Sequence, residues 1–134
     1  MSNLILTLRG YFQYRGREGQ LAFLLHRVTG LGTLLFLLIH ILDTALVYFS
    51  PDMYIEIIAI YRSLLFGIGE LFLVFCVIYH GVNGLRLVYL DLVAPRLWNI
   101  PQERLSVRAT LIAALILWAP AAAWMVRGMI LHLG

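Results

Sequence analysis

Tyr79-His80-Gly81-Val82-Asn83-Gly84-Leu85-Arg86-Leu87-Val88-Tyr89-Leu90-Asp91 sets a histidine inside an apolar run and closes that run with an arginine and an aspartate. An imidazole in hydrocarbon is costly unless something meets its nitrogens, so His80 is a candidate functional residue on polarity alone. Neutral imidazole binds transition metals, and haem iron takes histidine as an axial ligand. Iron would satisfy one ring nitrogen and leave the other for a hydrogen bond. Haem is the leading reading of this stretch.

The rest of the chain supplies the hydrocarbon setting. Of 134 residues, 62% are apolar and 13% charged, and the mean hydropathy is +0.89, which is an integral membrane composition and not that of a small soluble domain. A single domain is expected over residues 1–134. The lone cysteine, Cys76, allows neither a disulfide nor a thiolate cluster within the chain. Net charge is +3, and every basic residue is an arginine at the end of an apolar segment. They read as membrane anchors, and nucleic-acid binding is rejected.

Residues 1–20 are mixed and punctuated by Gly10, Gly16 and Gly19, with no apolar core of a signal peptide, so they are expected as a cytoplasmic surface segment of a chain starting at Met1. Three spans follow, at 21–49, 63–92 and 107–131, each at or above the roughly 20 residues a crossing requires. Ser50, Pro51 and Asp52 mark a turn before an amphipathic stretch, 53–62. Residues 95–106, with two prolines and several charges, are expected as a polar connection. Pro120 could kink the third span. Arginines crowd the amino-terminal end and the second connection, with Arg62 alone in the first connection and Arg127 alone after the third span. The positive-inside rule then places the amino terminus in the cytoplasm.

At helical spacing, His26, Gly30, Thr33, Leu37, His40 and Thr44 fall within about 40° of one line on the first span. Gly69, Leu73, Cys76, His80, Gly84, Leu87 and Asp91 do so on the second. Small residues beside a histidine would admit a flat macrocycle or simply a neighbouring helix. His40 lies roughly 20 Å along its helix from Arg27, and His80 roughly 9 Å from Arg86, so the two histidines sit at different levels. Both ligating one iron is disfavoured. Asp43 and Glu70 come out together in the outer half, either carrying protons or paired with Arg62 or water at the interface. Trp98, Trp118 and Trp124 read as interfacial anchors and His132 as a solvated terminal residue.

The combination of Leu25-His26-Arg27-Val28-Thr29-Gly30 with the 79–91 motif resembles the cytochrome b membrane-anchor subunit of succinate dehydrogenase, respiratory complex II. The resemblance implies three transmembrane helices forming half of a larger bundle with a sister subunit. It also implies docking to iron–sulfur and flavoprotein subunits, which carry out the succinate chemistry, while electrons pass through the membrane part to quinone. His80 would ligate haem b, His26 and Arg27 would lie near a haem propionate or the quinone, and Asp91 near the same groups. His40-Ile41-Leu42-Asp43 resembles the branch with two small membrane subunits and two haems, in which His40 would ligate the second iron. Where single-haem members carry a quinone-contacting serine, this chain has Phe23. A bacterial cytoplasmic membrane is the implied location. The competing expectation is a small transporter or channel subunit, with His40, Asp43, Glu70 and His80 relaying protons and no haem.

Overall fold

Lipid offers backbone N–H and C=O groups no partner, so an apolar stretch crossing it must bond within itself, and the helix does this in one segment. A computed structural model describes residues 5, 10, 17–97 and 99–133, the side chains at 17, 100, 132 and 133 excepted. Its elements are α1 (Arg17–Phe49), α2 (Pro51–Tyr61), α3 (Leu64–Leu92), a 3-10 turn (Pro95–Leu97) and α4 (Ile100–Leu133). Glu18–Phe49, Leu64–Leu92 and Pro101–Leu131 are long and apolar enough to cross a membrane. No strand occurs among the described residues, and the class is all-α membrane protein. Most of the 1–20 segment, Trp98 and the His132 side chain lie outside the described residues.

The helix starts depart from expectation where proline was read as a breaker. α4 begins at Ile100 instead of 107, because Asn99 caps it. The Gln102 amide donates to Asn99 Oδ1 at 3.1 Å, and Asn99 Nδ2 donates to Gln102 Oε1 at 2.6 Å. This is a variant of the capping box, and Pro101 sits in the first turn, where a missing N–H costs nothing. Pro51 likewise opens α2 behind Ser50. α1 starts at Arg17, four residues before the expected 21, with Glu18 in its first turn paired to Arg108 of α4. Pro95 does stop a helix: the Val93 and Ala94 amides both donate to the Tyr89 carbonyl at 3.0 Å, closing α3 just before it.

α3 lies in the middle, packed along both α1 and α4. Small residues set the approach. A Cβ at Gly32 would lie 2.7 Å from Cys76 Sγ, and one at Gly67 would overlap Met129 Sδ, so the α1–α3 and α3–α4 contacts are closed at the positions lacking a side chain. Trp118 departs from the anchor role: it is half-buried, its indole N–H donates to the Leu71 carbonyl at 3.1 Å, and its ring meets Phe75 edge-on. The indole hydrogen bond found a protein acceptor in place of a headgroup. Trp124, 76% exposed, does face outward.

The Asn99 cap makes a local prediction. Asn99→Ala should weaken the start of α4 by about 1 kcal/mol and speed amide exchange at Gln102 about five-fold. Mass-spectrometric hydrogen exchange reads this directly; unchanged protection at Gln102 would remove the cap from the account.

Candidate functional site

His80 projects from α3 into α1. Its Nδ1 lies 3.1 Å from the backbone carbonyl of His26. A carbonyl only accepts, so Nδ1 is the donor, and in the neutral ring Nε2 then keeps the lone pair. The imidazoles of His26 and His80 stack face to face, centroids 4.1 Å apart and planes 5° from parallel. The two histidines, expected separately, form one unit.

Glycines make the unit possible, in a way the helix faces did not reveal. A Cβ at Gly30 would stand 2.9 Å from His80 Cε1 and 3.2 Å from Nδ1, and one at Gly84 would stand 3.9 Å from His26 Cε1. Each helix therefore offers a glycine to the other helix's histidine. Gly30 receives an imidazole where a macrocycle or a bare helix contact was expected, because the ring must reach the carbonyl one turn before it. His26 Nδ1 is buried and has no hydrogen-bond partner. Such atoms are uncommon, and this one faces the need for an acceptor or donor from outside the chain.

Arg27 is exposed, with its guanidinium carbon 5.3 Å from the centroid of the Phe23 ring. Phe23 thus gives the cation an aromatic face at the position where single-haem members carry a serine hydroxyl. Below the histidines, Arg86 donates from Nη1 to Asn83 Oδ1 at 3.2 Å and from Nε to Ser106 Oγ at 2.9 Å, and Ser106 Oγ donates to the Glu103 carbonyl at 2.8 Å. Asn83 is 2% exposed. The sequence reading takes Arg86 as a membrane anchor and gives Asn83 and Ser106 no role, although Asn83 and Arg86 one turn apart in an apolar helix are signal enough for a shared hydrogen bond. Asp91 lies exposed in the last turn of α3, roughly 16 Å along the helix from His80.

His40 stands apart at the other end. With Gly30 opposite His80 and Gly32 opposite Cys76, the α1–α3 register puts His40 near Glu70, roughly 15 Å along the helix from the level of His80. His40, Asp43, Tyr61 and Glu70 line one cavity of about 450 Å³ with Phe36, Phe66 and Met125. Phe36 stacks on His40 at 5.6 Å. Tyr61 Oη donates to Asp43 Oδ1 at 3.3 Å, so a tyrosine from α2 meets the carboxylate for which Arg62 or water was one expectation and proton carriage the other. Burial, and then the Asp43 carboxylate, push the Tyr61 hydroxyl above the ordinary phenol value, which keeps it a donor.

Among the described residues no three His, Cys, Asp or Glu side chains converge as a bare metal ion needs. Haem brings its own ring nitrogens and asks the protein for axial ligands only, a requirement that His80 Nε2 suits. The Nδ1–H to carbonyl bond is the outer-shell contact that fixes a ligating histidine's tautomer and orientation. Buried His26 Nδ1 and the nearby Arg27 suit a carboxylate or quinone oxygen.

Residues 9–121 match the family described as succinate dehydrogenase/fumarate reductase transmembrane subunit. Over 78 residues the chain is 36% identical to the succinate dehydrogenase 2 membrane subunit SdhC of Mycobacterium tuberculosis, a match that covers 58% of this chain and 57% of that protein. The matched stretch is thus little more than half the length of that relative. Together with three apolar helices and the match across most of its length, this makes the chain an integral membrane protein that belongs to the succinate dehydrogenase/fumarate reductase transmembrane subunit family.

Proposed function

We propose that the chain is the cytochrome b anchor subunit of a succinate:quinone oxidoreductase, holding haem b with a sister membrane subunit beneath the iron–sulfur and flavoprotein subunits. One observation carries the reading: His80 Nδ1 is committed to the His26 carbonyl, which leaves Nε2 as an oriented, unprotonated ligand inside the membrane. Haem bound there would supply a one-electron carrier between the iron–sulfur subunit and quinone. The chain's own residues do the rest. His80 would hold the haem through Nε2, Gly30 would keep the His80 ring seated, and His26 Nδ1 and Arg27 would meet a propionate or the quinone. Arg27 stabilises negative charge developing on a quinone oxygen. His40, too far along α1 to share an iron with His80, would hold a second haem, with the sister subunit supplying the other ligands. In this reading the arginine-rich end, where the soluble subunits dock, faces the cytoplasm of a bacterium.

A second reading has its own observation. The cavity that gathers His40, Asp43, Tyr61 and Glu70 suits a proton relay in a small transporter or channel subunit without haem. The absorption spectrum of the purified complex separates the two: sharp reduced-minus-oxidised bands of low-spin bis-histidine haem support the first, and a colourless complex with its partners intact overturns it.

His80→Ala should remove the haem nearer the arginine-rich end and His40→Ala the other, read as haem per assembled complex. Loss of both from either single variant, with assembly intact, contradicts independent ligation. Gly30→Ala places a Cβ 2.9 Å from the His80 ring and should displace it. Haem affinity should then fall about 10- to 100-fold, as when an outer-shell partner is lost; unchanged retention in haem-depletion titrations would mean that the slot is not needed. Arg27→Leu should slow quinone reduction about a hundred- to a thousand-fold, the usual loss for one preorganised contact to a developing oxyanion. Succinate oxidation with a soluble acceptor should be unaffected, and normal quinone reductase activity would leave Arg27 only an anchoring role.

A further inference from the structure

α2 is the one described helix of eight or more residues that is too short to cross a membrane, and its place is dictated by its neighbours. Ser50 alone joins it to α1, and Arg62 and Ser63 join it to α3. The register that pairs Gly32 with Cys76 and Gly30 with His80 puts Leu64 level with the last turns of α1. α2 therefore runs roughly 16 Å obliquely from the end of one span to the start of the next, and it cannot stand away from the membrane surface.

Its sides divide three ways. Tyr54, Ile57, Ile58 and Tyr61 are half-buried toward the bundle, and Tyr61 Oη ties α2 to Asp43. Asp52 and Glu56, about 40° apart on the helix, are exposed on the opposite side. Between these lie apolar flanks: Met53 is 52% and Ile60 56% exposed on one, and Ile55 is 66% exposed on the other. An apolar underside, two apolar flanks and an acidic top are the pattern of a helix lying in the membrane interface. At the same level, the last two residues of α1, Tyr48 and Phe49, are 84% and 79% exposed, where aromatic rings sit among headgroups.

We infer that α2 lies in the lipid headgroup layer, with Met53, Ile55 and Ile60 among the upper acyl chains and Asp52 and Glu56 in water. Its seat in the lipid holds Tyr61 against Asp43 at the mouth of the outer cavity. The inference needs the spans and not haem or quinone, so it stands or falls apart from the function proposed above.

The test uses the assembled complex in nanodiscs of phosphatidylcholine and phosphatidylglycerol, with nitroxide labels on Asp52→Cys, Met53→Cys, Ile55→Cys, Glu56→Cys and Ile60→Cys, corrected for the unsubstituted complex. Collisions with oxygen should exceed those with a water-soluble nickel chelate at 53, 55 and 60, and the order should reverse at 52 and 56. Labels at 53, 55 and 60 shielded from both relaxants would show a protein partner on these flanks, and chelate dominance at all five positions would show a helix standing in water. Either result overturns the inference. An independent measurement needs no variant: a water-soluble carbodiimide with an amine should modify Asp52 and Glu56 in the unsubstituted complex well before Asp43. Protection of Asp52 and Glu56 would also overturn it.

Discussion

An imidazole cannot sit in hydrocarbon with both nitrogens idle, and the way His80 meets this constraint organises the contact between the first two spans. The His26 carbonyl is already spent on its own helix, yet its second lone pair is open to a donor arriving sideways. Reaching it requires α1 and α3 to come closer than side chains on both would allow. Hence Gly30 lies against the His80 ring, Gly84 near His26, and Gly32 against Cys76 a turn further on. One hydrogen bond explains why the glycines fall where they do and why the two rings end up stacked.

The same register separates two polar regions along the bundle. Toward the arginine-rich end, His26, His80, Arg27, Asn83 and Arg86 are basic or neutral; toward the other, His40 shares its cavity with Asp43, Glu70 and Tyr61. Charge sign therefore changes along the membrane normal. A cation-rich end is suited to anionic oxygens of a propionate or a reduced quinone, and an acidic end to cations or protons. This asymmetry favours giving the two histidines different tasks, whichever ligand each one takes.

Much of this was legible in the sequence, and the failures have physical causes. Three long apolar runs fixed the number of spans within a few residues, since lipid leaves such runs no structure but a helix. His80 stands out because an imidazole inside an apolar run needs a partner for its ring nitrogens. The start of α4 was missed because Pro101 was weighed as a breaker without the Asn99 and Gln102 pair that turns it into a first-turn proline. Trp118 was misplaced because an amphipathic ring signals an interface only when no carbonyl is in reach. Single-helix geometry could find the face of each histidine but not that His26 and His80 touch, because which faces meet is a property of two helices.

The outer surface of the chain carries the remaining argument. Leu31, Leu42, Phe72 and Ile116, all more than half exposed, are content in lipid. His40 and Glu70 are exposed as well, and both lie inside the spans, well below the helix ends. A carboxyl group and an imidazole facing acyl chains would each be a costly polar group without a partner, whereas the same groups against another protein surface, a cofactor or enclosed water would not. Lipid is therefore a poor neighbour for this one patch, unlike the apolar surface around it. That contrast within a single chain marks the wall of the His40 cavity as a part of the surface that acyl chains suit poorly.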